Sequence, residues 1–278
     1  MAPRLEDLSG RSLLAVFAHP DDESLACGGL LAWCAHRGAH VSLLCVTHGE
    51  HDQGKRLADV RAQELRDACR ALGVASLELL DYDDGMLPWA DARQLEADIR
   101  EAIERFRPEI VITFDEDGLY WHPDHIAVHE RTTAAVAAMR EDSPALYYVT
   151  MPAGQMRAVV HHAEETFASQ GATGEPPRRI LGITPPDAFG ALAPAPTLIV
   201  DAADFANRKL AAIRCHRSQL IDDALTLVAE SDAGRLLGVE HYRRAEAGSR
   251  GEAFIERFDA RAARAASEDP ACEKQTGA

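Results

Sequence analysis

Two short segments hold side chains that can bind a metal and move protons: Ala18-His19-Pro20-Asp21-Asp22-Glu23 and Trp121-His122-Pro123-Asp124-His125. Each sets a His-Pro-Asp triplet after an apolar run. The runs are Leu13-Leu14-Ala15-Val16-Phe17 and, with a short loop between, Ile110-Val111-Ile112-Thr113-Phe114. The residue after each triplet, Asp22 or His125, is a further metal-capable group. The repetition points to one metal site shared by two strand ends. Zinc bound by two imidazoles and a carboxylate keeps an open position, the arrangement of hydrolytic sites. The expected ligands are His19, Asp22 and His125. A metal so held lowers the pKa of a water toward ~7. Asp21 is adjacent to a ligand but faces elsewhere on a helix, which makes it the candidate general base. His122 is the candidate to stabilise an oxyanion and protonate a leaving amine. Asp124 is expected to orient His122 and raise its pKa. His129, four residues after His125, stands as a competing ligand ranked below it. The bland alternative, histidine as a helix cap and proline as a first helical residue, must occur twice by chance at the same sheet edge.

The elements that must position these residues alternate. Strands are predicted over 12–17, 41–47, 76–80 and 109–114, and helices over 22–37, 55–72, 92–106 and 123–140. This is an α/β pattern, a Rossmann-like, mostly parallel sheet with helices on both faces. Ligands of such sheets sit outside the carboxyl ends of the strands, where both triplets fall. Pro20 and Pro123 are each expected at the first position of the following helix. Gly28-Gly29 lies inside a helical pattern and makes no dinucleotide fingerprint. The second half is less regular. Residues 170–196 hold six of the 14 prolines, and 150–196 is read as an irregular Pro/Gly-rich insertion. A late strand is predicted at 197–200 and a helix over 204–219. One domain over 1–259 and a flexible tail over 260–278 complete the reading.

The 278 residues carry 29 Lys and Arg against 45 Asp and Glu, a formal net charge of -16. That balance argues against nucleic-acid or anionic-membrane partners and favours a small-molecule substrate; a homo-oligomer remains open. The six cysteines show no Cys-x-x-Cys pair, four of them read as core residues, and this usage fits a reducing cytoplasm. Residues 1–10 lack a signal-peptide pattern. No stretch approaches the ~20 apolar residues of a membrane span.

Together the two motifs resemble the zinc-dependent N-acetylglucosamine deacetylases of the LmbE/PIG-L type. The likeness covers most of 10–150 and, more loosely, 197–220. It implies a Rossmann-like fold, metal-dependent amide hydrolysis of an amino-sugar conjugate, and the roles given above. The ligand set admits zinc, iron(II) or cobalt. Further positions follow from the resemblance alone. Thr47-His48-Gly49-Glu50 matches a Thr-x-Gly-Glu turn and places Glu50 among substrate contacts. Arg61 opens an Arg-x-x-Glu helix whose arginine contacts substrate in the family. Tyr120 sits where some members carry a mobile, carbonyl-polarising tyrosine, and Asp83 near a substrate-hydroxyl position. Lys209 to Gln219 resembles a late family segment, and 150–196 matches nothing in the family. Two other functions compete: an amidase acting on a thiol–sugar conjugate or natural product, and a noncatalytic metal-binding protein. Plainer roles also stand beside these: Arg61 as a surface arginine paired with Glu64 or Glu50, His48 and His51 as loop residues, and His216 as structural. His161-His162 with Glu164-Glu165 reads as a solvated helix face.

Overall fold

The computed structural model describes residues 7–50, 55–182 and 185–258. Its first part alternates β1 (Ser12–Phe17), α1 (Asp22–His36), β2 (His40–Thr47), α2 (Lys55–Leu72), β3 (Ser76–Tyr82), α3 (Ala92–Phe106) and β4 (Ile110–Phe114). A one-turn helix, α4 (Gly118–Trp121), then leads into α5 (Pro123–Ala138) and β5 (Ala145–Thr150). The remainder comprises α6 (Gln155–Ser169), β6 (Leu198–Asp201), α7 (Ala206–Ile213), α8 (Glu230–Leu237) and β7 (Val239–Gly248).

All seven strands form one sheet in the order β3-β2-β1-β4-β5-β7-β6. The first five are parallel, and β7 runs antiparallel to both β5 and β6. Covered on both faces, β1, β2 and β4 are near-continuous apolar runs. Helix α2 buries Leu65, Ala68 and Leu72 along one side. Helix α3 starts at Asp91, whose carboxylate accepts the N–H groups of Arg93 and Gln94 at 2.9 and 3.1 Å. From β1 the chain moves outward to β2 on one side, and β4 lies on the other. The carboxyl ends of β1 and β4 therefore flank the point where strand order reverses, the usual ligand crevice of such sheets.

Helix α1 breaks at Cys27 (φ -144°). The N–H groups released at Gly29 and Leu30 donate to the Glu240 carboxylate at 2.8 and 2.9 Å. Lys209 Nζ (2.7 Å) and the Tyr242 hydroxyl (2.7 Å) complete that buried cluster. A Cβ on Gly29 would stand 2.9 Å from Ala202 Cβ and 3.0 Å from Glu240 Oε1, so the approach needs glycine.

Several expectations change. The stretch 150–196 opens with the 15-residue helix α6 rather than irregular chain. The helix expected over 204–219 ends at Ile213, with single 3-10 turns at Ala203–Phe205 and Arg217–Gln219. Strand β7 was not anticipated, because its charged residues hide the strand pattern. The tail over 260–278, Cys272 and His51 lie outside the described residues. Among the described residues no helix is long and apolar enough to cross a membrane.

Candidate active site

The site is built on three chain segments. Residues 18–23 leave β1, the Gly85–Leu87 turn follows β3, and residues 118–125 follow β4. His19 is not on a helix: α1 begins at Asp22, and Asp21 at its N-cap takes φ 122°. Pro20 accordingly precedes the helix rather than starting it. His19 and Asp22 meet because the Asp22 carboxylate accepts the His19 backbone N–H at 2.7 Å. Pro123 does open α5, with His122 as its N-cap accepting the Asp124 N–H on Nδ1 at 3.2 Å.

Donor atoms of three residues converge. His19 Nδ1 lies 3.2 Å from His125 Nε2 and 3.5 Å from Asp22 Oδ2, and Asp22 Oδ1 lies 3.2 Å from His125 Nε2. A tetrahedral zinc with bonds of about 2.0–2.1 Å holds its ligand atoms roughly 3.3–3.4 Å apart. The three groups therefore fit one such ion. The three imidazoles of His19, His122 and His125 also present donor atoms within 4.8 Å of one another. We favour Asp22 over His122 as third ligand, because His122 Nδ1 is committed to its backbone cap.

Outer contacts orient these candidate ligands. His125 Nδ1–H donates to the Gly118 carbonyl at 3.0 Å, leaving Nε2 as the donor toward a metal. Its ring stacks on Phe114 with centroids 3.9 Å apart. His19 Nε2–H donates to Asp124 Oδ2 (3.1 Å) and Asp84 Oδ1 (2.9 Å). Asp124 is fixed in turn by the N–H groups of Gly85 (2.7 Å) and Leu87 (3.1 Å). The Asp124 carboxylate thus serves His19, not His122 as expected from sequence. His129 turns away, its Nδ1 bonded to the Phe114 carbonyl at 2.9 Å.

Arg61 is buried, not presented to solvent. It donates to the carbonyls of Gly49 and Pro20, both at 2.6 Å, and to Asp21 Oδ2 at 3.0 Å. Gly49 must be glycine here, since at φ 68° its Cβ would stand 2.5 Å from the Arg61 guanidinium carbon. Arg61, expected to contact substrate, clamps the candidate base in this structure. Asp83 is exposed, and its neighbour Asp84 points into the site. Glu50 is half-buried, with Oε2 unpaired. Tyr120 packs its ring against His125 (5.2 Å) and Phe189 (4.9 Å). His48 pairs with Asp81 at 2.9 Å. His161 pairs with Glu165 on an exposed helix face.

The charges are set by burial and its compensation. Burial pushes the Asp21 carboxyl up to about 7, against the pull of Arg61. Burial would raise Asp22 too, but His125 and His19 more than offset it and hold the carboxyl well below its usual range. Burial opposes a charged His19, yet Asp124, Asp22 and Asp84 outweigh it and raise its pKa. Burial, reinforced by His125 and His19, lowers His122 to about 4, outweighing the expected upward pull of Asp124. Neutral at pH 7 and capping through Nδ1, His122 carries its proton on Nε2. Burial likewise holds the Tyr120 phenol protonated.

Sequence reasoning missed Asp84, Glu23 and the Gly85–Leu87 amides. The Asp83-Asp84 pair after β3 was the available signal, but which of two adjacent carboxylates faces inward is a matter of strand-end geometry.

Comparison with known proteins gives a consistent picture. The sequence profile of the family described as "PIG-L: GlcNAc-PI de-N-acetylase" matches residues 14–136. A 1D-myo-inositol 2-acetamido-2-deoxy-alpha-D-glucopyranoside deacetylase of Acidothermus cellulolyticus is 33% identical over 264 residues, covering 84% of this chain and 88% of that protein. The protein of the same name from Salinispora arenicola is 31% identical, covering 84% and 85%. Among solved structures, the N,N'-diacetylchitobiose deacetylase of Pyrococcus horikoshii aligns with TM-score 0.59 at 22% identity, over 84% of each chain. GalB, the 4-carboxy-2-hydroxymuconate hydratase of Pseudomonas putida, aligns with TM-score 0.57 at 18% identity, over 87% of this chain and 99% of that one. The last pair share the fold with this chain while their names denote different reactions, so the reaction has to be argued from the site.

Proposed function

This chain belongs to the PIG-L: GlcNAc-PI de-N-acetylase family, and from that premise we propose that it is a zinc-dependent hydrolase that removes the N-acetyl group from an N-acetylglucosamine conjugate. The observation that carries the proposal is the triangle of His19 Nδ1, Asp22 and His125 Nε2 at 3.2–3.5 Å, with the Asp21 carboxylate clamped beside it. The first substrate to try is the one in the relatives' name, 1D-myo-inositol 2-acetamido-2-deoxy-alpha-D-glucopyranoside.

His19, Asp22 and His125 would hold the metal, which supplies an acidified water and a positive charge facing the developing oxyanion. Asp21 takes a proton from the attacking water as the new C–O bond forms. Arg61 keeps that carboxylate in place. His122 donates from Nε2–H to the oxyanion, and the protonated Tyr120 hydroxyl is a second donor. When the C–N bond breaks, Asp21 returns its proton to the departing nitrogen, leaving acetate and a free amine. A base that gives back what it took needs no proton from His122, in accord with a neutral imidazole there. Glu50, through its unpaired Oε2, accepts from a sugar hydroxyl.

The test is acetate release by purified protein from that glycoside, before and after chelation and on restoring zinc, iron(II) or cobalt. Release that disappears with the metal and returns with it supports the reading. A metal-loaded protein that releases no acetate from any N-acetylated amino sugar would leave only the noncatalytic alternative.

A further inference from the structure

Asp21 holds a backbone conformation, φ 122° and ψ -25°, that residues with a Cβ rarely adopt. Such a conformation persists only where the surroundings over-determine it. Arg61 holds its carboxylate and the preceding carbonyl. The backbone N–H is held separately: it donates to Glu23 Oε2 at 3.1 Å. The other oxygen of Glu23 accepts from Ser24 Oγ at 2.5 Å and from His216 Nε2 at 2.9 Å. Glu23 is 1% exposed and His216 0%. His216 lies 193 residues from Glu23 in sequence, in the turn after α7. Two residues on, Ser218 donates its N–H and Oγ to the Glu64 carboxylate at 2.9 and 2.6 Å. Glu64 stands on α2 almost one turn beyond Arg61. The segment His216–Ser218 is therefore bonded to both helices that supply the base and its clamp.

We propose that His216 is a positioning residue for the reaction: through Glu23 it fixes the Asp21 backbone in the strained conformation that aims the carboxylate, while Ser218 locks the Arg61 helix in the same frame. The role of Asp21 in this proposal rests on the deacetylase reading. The arrangement differs from ordinary core packing in one respect. A structural dyad between α1 and α7 would be felt in stability, whereas a device acting on Asp21 is felt in turnover at constant metal and substrate binding.

The experiment compares wild type with His216→Phe, which removes the donor, and His216→Gln, whose amide N–H can still reach Glu23. For each, kcat, KM, bound zinc per chain and Tm are measured, and crystal structures of wild type and His216→Phe are solved. The expected result for His216→Phe is a kcat lower by on the order of 10- to 100-fold, the loss that a displacement of about 1 Å carries. KM and zinc stay at wild-type values, the Asp21 φ leaves the positive region, and His216→Gln recovers most of the turnover. Unchanged kcat with Asp21 still at positive φ overturns the proposal. So does a loss that His216→Gln fails to restore and that follows Tm or zinc. Should His216→Phe not fold, Ser218→Ala takes its place, with a smaller drop in kcat at constant KM expected and no change counting against the proposal. Wild type that releases no acetate would defeat the functional reading instead, and the two Asp21 conformations would then decide the positioning role alone.

Discussion

Strands β1 and β4 end in short segments whose side chains converge, whereas β5, β7 and β6 bring no metal donor to that cluster among the described residues. The parallel region supplies His19, Asp21, Asp22, His122 and His125. The later region supplies groups that act at one remove: Glu240 and His216 bond to α1, Ser218 bonds to α2, and Lys209 pairs with Glu240. The candidate ligands thus come from parallel strand ends, where loops converge. The charges that hold those loops in their conformations come from far along the chain. The two regions should therefore respond differently to substitution: the first in chemistry, the later one chiefly in stability, apart from His216 and Ser218, whose bonds reach the Asp21 frame.

The largest separation is expected at the ligands. His125→Ala should abolish acetate release and lower bound zinc by metal analysis. An active, zinc-replete variant would remove His125 from the ligand set. Next, Asp21→Asn should lower kcat by about 10²–10⁴-fold, the range for a general base, while zinc per chain stays constant. Full activity would break the assignment of Asp21 and with it the contrast between regions. In the later region, Lys209→Met leaves the buried Glu240 carboxylate without its cation. It should cost about 3–5 kcal/mol in denaturant unfolding, with kcat per folded molecule changed far less than in Asp21→Asn. Chemistry lost in step with stability would mean that the two regions are not separable.

The smallest expected effect is one of pH. Burial pushes the Asp223 carboxyl up to about 6, despite N–H donors from Leu225 and Gly182. Its folded pKa thus lies above the unfolded value near 3.8. The native state holds this proton more tightly, so the contribution favours folding fully below pH 4 and is lost as pH rises through 6. Asp223→Asn should flatten that part of the stability profile between pH 4 and 6, measured by urea unfolding, without altering the pH dependence of acetate release.

The strands and helices of the first 140 residues were legible because each is local: α2 and α3 occupy the predicted 55–72 and 92–106. Both His-Pro-Asp segments could be placed at one edge for the same reason, since a parallel sheet puts all its βα turns on one side. Strand β7 was not legible. Its Arg243 and Arg244 look like solvent residues until Asp115 and Glu256 are seen to bind them. Helix α6 was lost within a stretch read by its prolines, although all of these but Pro152 follow the helix.

The sequence alone determined which chemistry was available: two imidazoles, a carboxylate able to ligate and an adjacent second carboxylate at the strand ends of an α/β sheet. Tertiary structure decided direction. It turned Asp84 rather than Asp83 inward, gave Asp124 to His19, and folded Arg61 back onto Asp21. It also brought His216 to Glu23. The physical reason is that residue type and spacing specify a donor, whereas its aim depends on backbone dihedrals. A φ of 122° at Asp21 is held by partners distant in sequence, and a buried charge goes where such partners satisfy it.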